Sequence, residues 1–208
     1  MGNAFGEIRD IDVLMKLFDQ YLVSDSNSRS DVMCSLTAQR SARLVVTREV
    51  LTSARYEHMI TELHQLSHHP HVGSWARMNP RQIFTPALWN TSCTLLYVVG
   101  EPTHRRRDVD LHQVRIATKK GRYVFEVASQ CMPGELQHVA KSLKGMQEVL
   151  GQMNDRAVAL KFLESLDLEE ENSRDLQQDL RREVNELNPR WIAYFDEARQ
   201  GFLDVFAL

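Results

Sequence analysis

Between positions 111 and 126 the chain reads Leu-His-Gln-Val-Arg-Ile-Ala-Thr-Lys-Lys-Gly-Arg-Tyr-Val-Phe-Glu, and His112, Arg115, Lys119, Arg122 and Glu126 recur every three or four residues. On a helix that turns about 100° per residue, these five share an arc of roughly 80°. The opposite side carries Val114, Ala117, Gly121, Val124, Phe125 and Ala128. That is a core face, with two small residues that let another helix come close, so the cations point away from the core.

A row of cations one helical turn apart suits a linear polyanion, because several weak phosphate contacts add where one would not suffice. Arginine offers a planar fork of donors to phosphate, and lysine a mobile point charge. Histidine adds a directional donor whose charge grows as pH falls. Glu126 is the one acid in the row and reads as the partner that orients Arg122. A run of Lys and Arg on a helix is ordinarily a solvated face. Two features set this one apart: its density in a chain of net charge −3, and a histidine in line with the cations instead of on the apolar side.

The following stretch carries a second polar stripe of Lys144, Gln147, Gly151, Asn154 and Asp155, with Lys141 beside it, over an arc of roughly 100°. Its other side, Leu143, Met146, Val149, Leu150 and Met153, is apolar. If the two helices pair antiparallel across the Met132-Pro133-Gly134 turn, both polar stripes border one groove. Lys141 and Lys144 then join the phosphate ligands, while Asn154 and Asp155 read as structural. Earlier in the chain Arg40, Arg43, Arg48 and Arg55 spread over broader arcs; Arg40 and Arg48 are added to the candidate set and the others read as surface charges.

Helical periodicity dominates from end to end and no strand pattern emerges. The spacing predicts helices over Phe5–Val23, Ser30–Ser67 with a break near Ser53, Pro86–Val99, Val109–Gln130, Gly134–Leu166, Asn172–Leu187 and Pro189–Phe206. An internal match accompanies them: Phe5-Gly6-Glu7-Ile8-Arg9-Asp10-Ile11-Asp12-Val13 aligns with Leu150-Gly151-Gln152-Met153-Asn154-Asp155-Arg156-Ala157-Val158 at an offset of 145. Shifting His112–Glu126 by that offset lands before Met1. If the chain is a duplication, its first copy lacks the basic helix.

Taken together, these residues resemble a known family. Leu111-His112-x-x-Arg115-x-x-x-Lys119-Lys120-x-Arg122-Tyr123-x-x-Glu126, followed by Leu143-Lys144-x-x-Gln147-x-x-Leu150-Gly151-x-x-Asn154-Asp155, is similar to the second half of a CHAD domain. The Phe5–Val13 segment is similar to the motif that closes the first half, and Thr52-Ser53-Ala54-Arg55-Tyr56 to another recurrent segment, so the resemblance spans nearly the whole chain. It implies an all-α fold of two related antiparallel helical-bundle halves, 1–103 and 104–208 of a single domain, around a basic groove that holds inorganic polyphosphate. Carried over by position, His112, Arg115, Lys119, Lys120, Arg122 and Lys144 would face the phosphates. A complete member opens with a helix bearing its own His and Arg/Lys stripe. The first half is therefore expected to be N-terminally truncated, and three readings follow: the chain is a fragment, a second copy or a partner chain completes the groove, or binding has weakened.

Composition bounds the alternatives. With 208 residues, 43% hydrophobic and 25% charged, with 9 Gly and 6 Pro, the chain reads as globular. Charge is segregated: His104–Arg122 holds seven Lys/Arg against two Asp, and Ser165–Glu186 holds eight Asp/Glu against three Arg. Cys34, Cys93 and Cys131 are too scattered for a disulfide framework, and neither a leader nor a bilayer-length apolar run is evident, so a cytoplasmic protein is expected, to which the family resemblance adds an association with polyphosphate granules. A metal-dependent phosphohydrolase is one rival, suggested by His58, His64, His68, His69 and His71, yet no His-Asp pair or His-Glu-x-x-His signature accompanies them. They read as a feature of a helix end and loop. A nucleic-acid-binding helical module is another, drawing on Arg105-Arg106-Arg107, although Tyr123 is the only aromatic beside the stripe on which a base could stack. A scaffold acting through the acidic region is a third. The reading adopted is a non-enzymatic binder with no cofactor.

Overall fold

A computed structural model describes residues 2–21, 27–70, 72–100, 110–132, 134–166 and 170–206. These residues form seven α-helices, namely α1 (Gly2–Tyr21), α2 (Asn27–Leu51), α3 (Ala54–His68), α4 (Pro80–Val99), α5 (Leu111–Cys131), α6 (Glu135–Glu164) and α7 (Glu170–Phe206), with one 3₁₀ turn at Ser74–Arg77. The protein is all-α, with no strand among the described residues. None of the described helices is long and apolar enough to cross a membrane.

Local chemistry sets the helix ends. The break expected near Ser53 is real: the Ser53 hydroxyl accepts from the Tyr56 amide and caps α3. Asn79 caps α4 by accepting from the Arg81 amide, with Pro80 in the first turn, where a missing N–H costs nothing. Helix α4 therefore starts six residues before the predicted Pro86, which sits exposed inside it. At the start of α5 the Asp110 carboxylate accepts from the amides of both His112 and Gln113. A second departure from expectation lies at Pro189, which does not end a helix but stands within α7. Its ring is on the exposed side, whereas Leu187 and Trp191 on either side are buried and the Trp191 indole N–H donates to Asn188 Oδ1 at 2.8 Å. Burying two large apolar side chains offsets the roughly 3 kcal/mol that an interior proline costs a helix.

The chain divides into two compact units. The first comprises Met1–Gly73 and Ala157–Leu180. Its core is built from Ile11, Leu14, Leu17 and Phe18 of α1, Val32 and Leu36 of α2, Ala159 and Leu163 of α6, and Leu176 and Leu180 of α7. Helix α3 adds no buried residue to it. The second unit comprises Ser74–Arg156 and Arg181–Leu208. Here α4 and α5 pack with the first part of α6 and the last part of α7 around Leu95, Val114, Phe125, Leu143, Met146, Trp191 and Phe195.

Within this second unit the helix pairs are antiparallel and closely packed. Along α5 and α6, Thr118 meets Met146 and Gly121 meets Leu143. Between α6 and α7, Val139 meets Gly201, Ser142 bonds Glu197, Gly145 faces Tyr194 and Arg156 pairs with Glu183. The α1–α2 pair of the first unit runs the same way, with Ala4 opposite Thr47, Glu7 opposite Arg43 and Asp12 opposite Arg40. Shifted by 145, each of these pairs falls within about one helical turn of the α6–α7 register. The ends of α1 and α6, and the starts of α2 and α7, likewise correspond within two residues.

Two of these features can be tested by stability. A Cβ on Gly145 would lie 2.5 Å from the Tyr194 ring, so Gly145→Ala should destabilise the protein by about 1–3 kcal/mol, the usual cost of overpacking. A denaturant titration with an unchanged midpoint would contradict that packing. Asp110→Ala removes the cap of α5 and should cost about 1 kcal/mol in the same titration.

Candidate functional site

Helix α5 presents two sides of different chemistry. Val114, Ala117, Thr118, Gly121, Phe125 and Ala128 are buried. Val124, expected in the core, is partly buried against it, and Thr118 is fully enclosed instead. A hydroxyl can be buried there because it donates to the Val114 carbonyl at 2.8 Å. On the other side His112, Lys119 and Lys120 are exposed, while Arg115, Arg122 and Glu126 are half-buried.

Arg122 is the most constrained of these cations. Its side chain is only 18% exposed. Nε–H donates to Gln147 Oε1 of α6 at 2.9 Å, and a terminal N–H donates to Glu126 Oε1 at 2.7 Å. The guanidinium also lies over the Tyr123 ring, 4.5 Å from its centroid, a cation–π contact that fixes its plane. Two of its five N–H donors are thus committed within the protein, and the group is oriented without being neutralised on every side.

Arg115 differs. Its Nε is buried and has no hydrogen-bond partner among the described residues. A buried donor left unpaired is costly. Lys119, Lys120 and His112 form no ion pair among the described residues.

Helix α6 brings its own stripe to the same place. Leu143, Met146, Val149, Leu150 and Met153 are buried, as their spacing predicts. Gln147 holds Arg122, and Lys144, one turn earlier on that face, is exposed with no carboxylate partner among the described residues, as is Lys141. Gly151, one turn further on, would meet nothing within 4 Å if it carried a Cβ, so the backbone there borders open space. Asp155 is engaged by the protein's own groups.

The structure therefore gathers His112, Arg115, Lys119, Lys120, Arg122, Lys141 and Lys144 within the second unit. Arg40 and Arg48 belong to the first unit: Arg40 Nε donates to Asp12 Oδ1 at 2.7 Å, and Arg48 is exposed. Arg105-Arg106-Arg107 and His71 lie outside the described residues. Two supporting roles escaped the sequence reading. The Asp110 cap had a visible signal, an Asp just before an amphipathic run. Tyr123 as a platform for its own neighbour's guanidinium had none, because adjacent residues on a helix do not ordinarily face each other. Among the described residues, no group of three or more His, Cys, Asp or Glu side chains converges as a metal-holding cluster.

No curated protein and no solved structure matches the chain. A family model, the CHAD domain, matches residues 1–164, which takes in α1 to α6 and leaves α7 outside the match. With well over half of its length matched, and with the histidine-led basic helix and the Gln147-bearing helix both inside that span, the chain belongs to the CHAD domain family.

Proposed function

We propose that the protein binds inorganic polyphosphate, without turning it over, along the α5 row of His112, Arg115, Lys119, Lys120 and Arg122 together with Lys141 and Lys144 of α6. The observation that carries this reading is the buried, unpartnered Nε of Arg115, placed between His112 and Lys119 on one helix face and one turn from cations that no carboxylate of the described residues neutralises. The Arg115 side chain is only partly buried as a whole, and phosphate is a partner of the right charge for its guanidinium. A chain of phosphates then meets the next cations in turn. Arg122, already oriented by Gln147, Glu126 and Tyr123, presents its remaining donors without the rotamer entropy that a free arginine would lose.

Each exposed cation contributes modestly, so affinity comes from number and is strongly salt-dependent. The row lacks a carboxylate poised as a base: Glu126, the acid within it, is bound to Arg122. Binding without catalysis is the role these groups suit. Arg40 stays outside the proposed set because its Nε is spent on Asp12, and Arg48 because it is an exposed charge in the other unit. A cytoplasmic role at polyphosphate granules completes this reading. Single-stranded nucleic acid is a poorer ligand, since Tyr123 is already covered on one face by Arg122.

The test is a salt-titrated binding assay with polyphosphate. Changing Arg115, Lys119 and Arg122 together to Ala should leave the helical circular dichroism intact, weaken binding on the order of 100-fold at low salt if each contact supplies about 1 kcal/mol, and flatten the log–log salt slope by about 2, at roughly 0.7 per lost contact. Unchanged affinity and slope would place the site elsewhere. Polyphosphate should displace a bound oligonucleotide far more readily than the reverse. The wild-type chain should release no orthophosphate from polyphosphate or a nucleoside triphosphate, with or without divalent metal; turnover that co-purifies with the protein would overturn the non-catalytic part of this reading.

A further inference from the structure

The histidines of α3 have no part in the reading above, yet two of them stand side by side. His64 and His68 are one helical turn apart, both exposed, with rings stacked at 4.2 Å between centroids and tilted by 28°. Residues at this spacing have Cβ atoms about 5–6 Å apart, close enough for both rings to reach one ion. A tetrahedral ion with bonds of about 2.0–2.1 Å needs its two ring nitrogens roughly 3.3 Å apart, a separation within reach of two rings whose centroids lie 4.2 Å apart.

The contacts of His68 also select a tautomer. The Ser67 hydroxyl donates to the His64 carbonyl at 2.8 Å, so its proton is not available to His68. The contacts of His68 Nδ1 with that carbonyl at 3.0 Å and with Ser67 Oγ at 3.1 Å then require Nδ1 to carry the hydrogen. In the neutral ring the lone pair is then on Nε2. A ring N–H fixed on a backbone carbonyl, with the other nitrogen free, is how metal-ligating histidines are commonly held.

We infer that His64 and His68 form a two-histidine site for a late first-row divalent cation such as Zn²⁺ or Ni²⁺, whose remaining coordination positions are filled by water or by an incoming ligand. Imidazole pairs favour these ions over Mg²⁺ or Ca²⁺, which demand oxygen donors. The site also has a mechanical consequence. Helix α3 buries no residue, so its last turn is held by its own hydrogen bonds alone, and an ion bridging positions 64 and 68 would staple it.

The inference is independent of phosphate binding on α5 and is tested on the full chain with the metal alone. Calorimetric titration with Zn²⁺ in a non-chelating buffer should show a site that is lost in the His64→Gln, His68→Gln double variant. Each single variant should weaken it by about tenfold or more, since even outer-shell partners of a metal cost 10–100-fold. His58→Gln and His69→Gln should leave it unchanged. Zn²⁺ should slow amide exchange over the last turn of α3 in the wild type and not in the double variant; as these side chains are exposed on a helix without core contacts, both proteins fold. Undiminished binding in the double variant, or equal loss in His69→Gln, would overturn the assignment.

Discussion

A helix that is crowded on one side has little choice about where its long charged side chains go. Gly121 sits so close to α4 that a Cβ would lie 3.1 Å from Thr91 Cγ2 and 3.5 Å from Leu143 Cδ1 of α6. Ala117 and Ala128 are buried on the same side, with Val114 and Phe125 filling what remains. No lysine or arginine fits there, and desolvating one would cost several kcal/mol. Every cation of α5 is thereby confined to the remaining arc. The row on the outside is the complement of the packing on the inside, so substitutions that loosen the Gly121 contact would also blur the geometry of the row.

Confinement carries a cost. Arg115, Lys119 and Arg122 repeat like charges at one-turn spacing, which destabilises a helix by about 0.2–0.5 kcal/mol per pair. Glu126 relieves part of this through Arg122, and the Asp110 carboxylate at the N-terminal end favours the helix dipole. Among the described residues nothing comparable relieves Arg115, whose buried Nε adds a donor without a partner there. A segment that breaks local rules in a protein otherwise well packed is where function is expected to reside. A polyanion would remove both penalties at once, so ligand binding and thermal stability should be coupled through this one helix.

How legible was this in the residues themselves? The amphipathic patterns of α5 and α6 gave their faces almost completely, because burial there is decided by a period of 3.6 residues and strong apolar contrast. Glu126 as the partner of Arg122 followed from i, i+4 spacing on the same helix. Contacts between helices were less accessible. Gln147 was readable only as a member of a polar stripe, and its bond to Arg122 depends on the register of α5 against α6. Arg40 seemed a candidate ligand because Asp12, its partner, lies 28 residues away in sequence. The helix ends at Pro80 and Pro189 went astray for opposite reasons: in α4 a local cap outweighed the later proline, and in α7 tertiary burial overrode the local break.

The offset of 145 shows what a repeated register does and does not transmit. Two helical hairpins keep corresponding helix ends and nearly corresponding pairings, which loop position and helix length are enough to enforce. Side chains at the matched positions have diverged. Where α1 and α2 join through the ion pairs Glu7–Arg43 and Asp12–Arg40, the corresponding stretch of α6 and α7 carries the ion pair Arg156–Glu183, while the contacts of Gly145 with Tyr194 and of Gly201 with Val139 lie beyond the matched positions. Both stretches are joined by ion pairs, but the pairs occupy different positions: buried Ile11 and exposed Ala38 stand where Arg156 and Glu183 would fall. Trp191, buried at 4% exposure, corresponds to Val46, which is 43% exposed. A shared register thus fixes where a residue sits, while its neighbours decide whether it packs, pairs or binds. For that reason the cation row of α5 has to be argued from its own surroundings and not from the symmetry of the repeat.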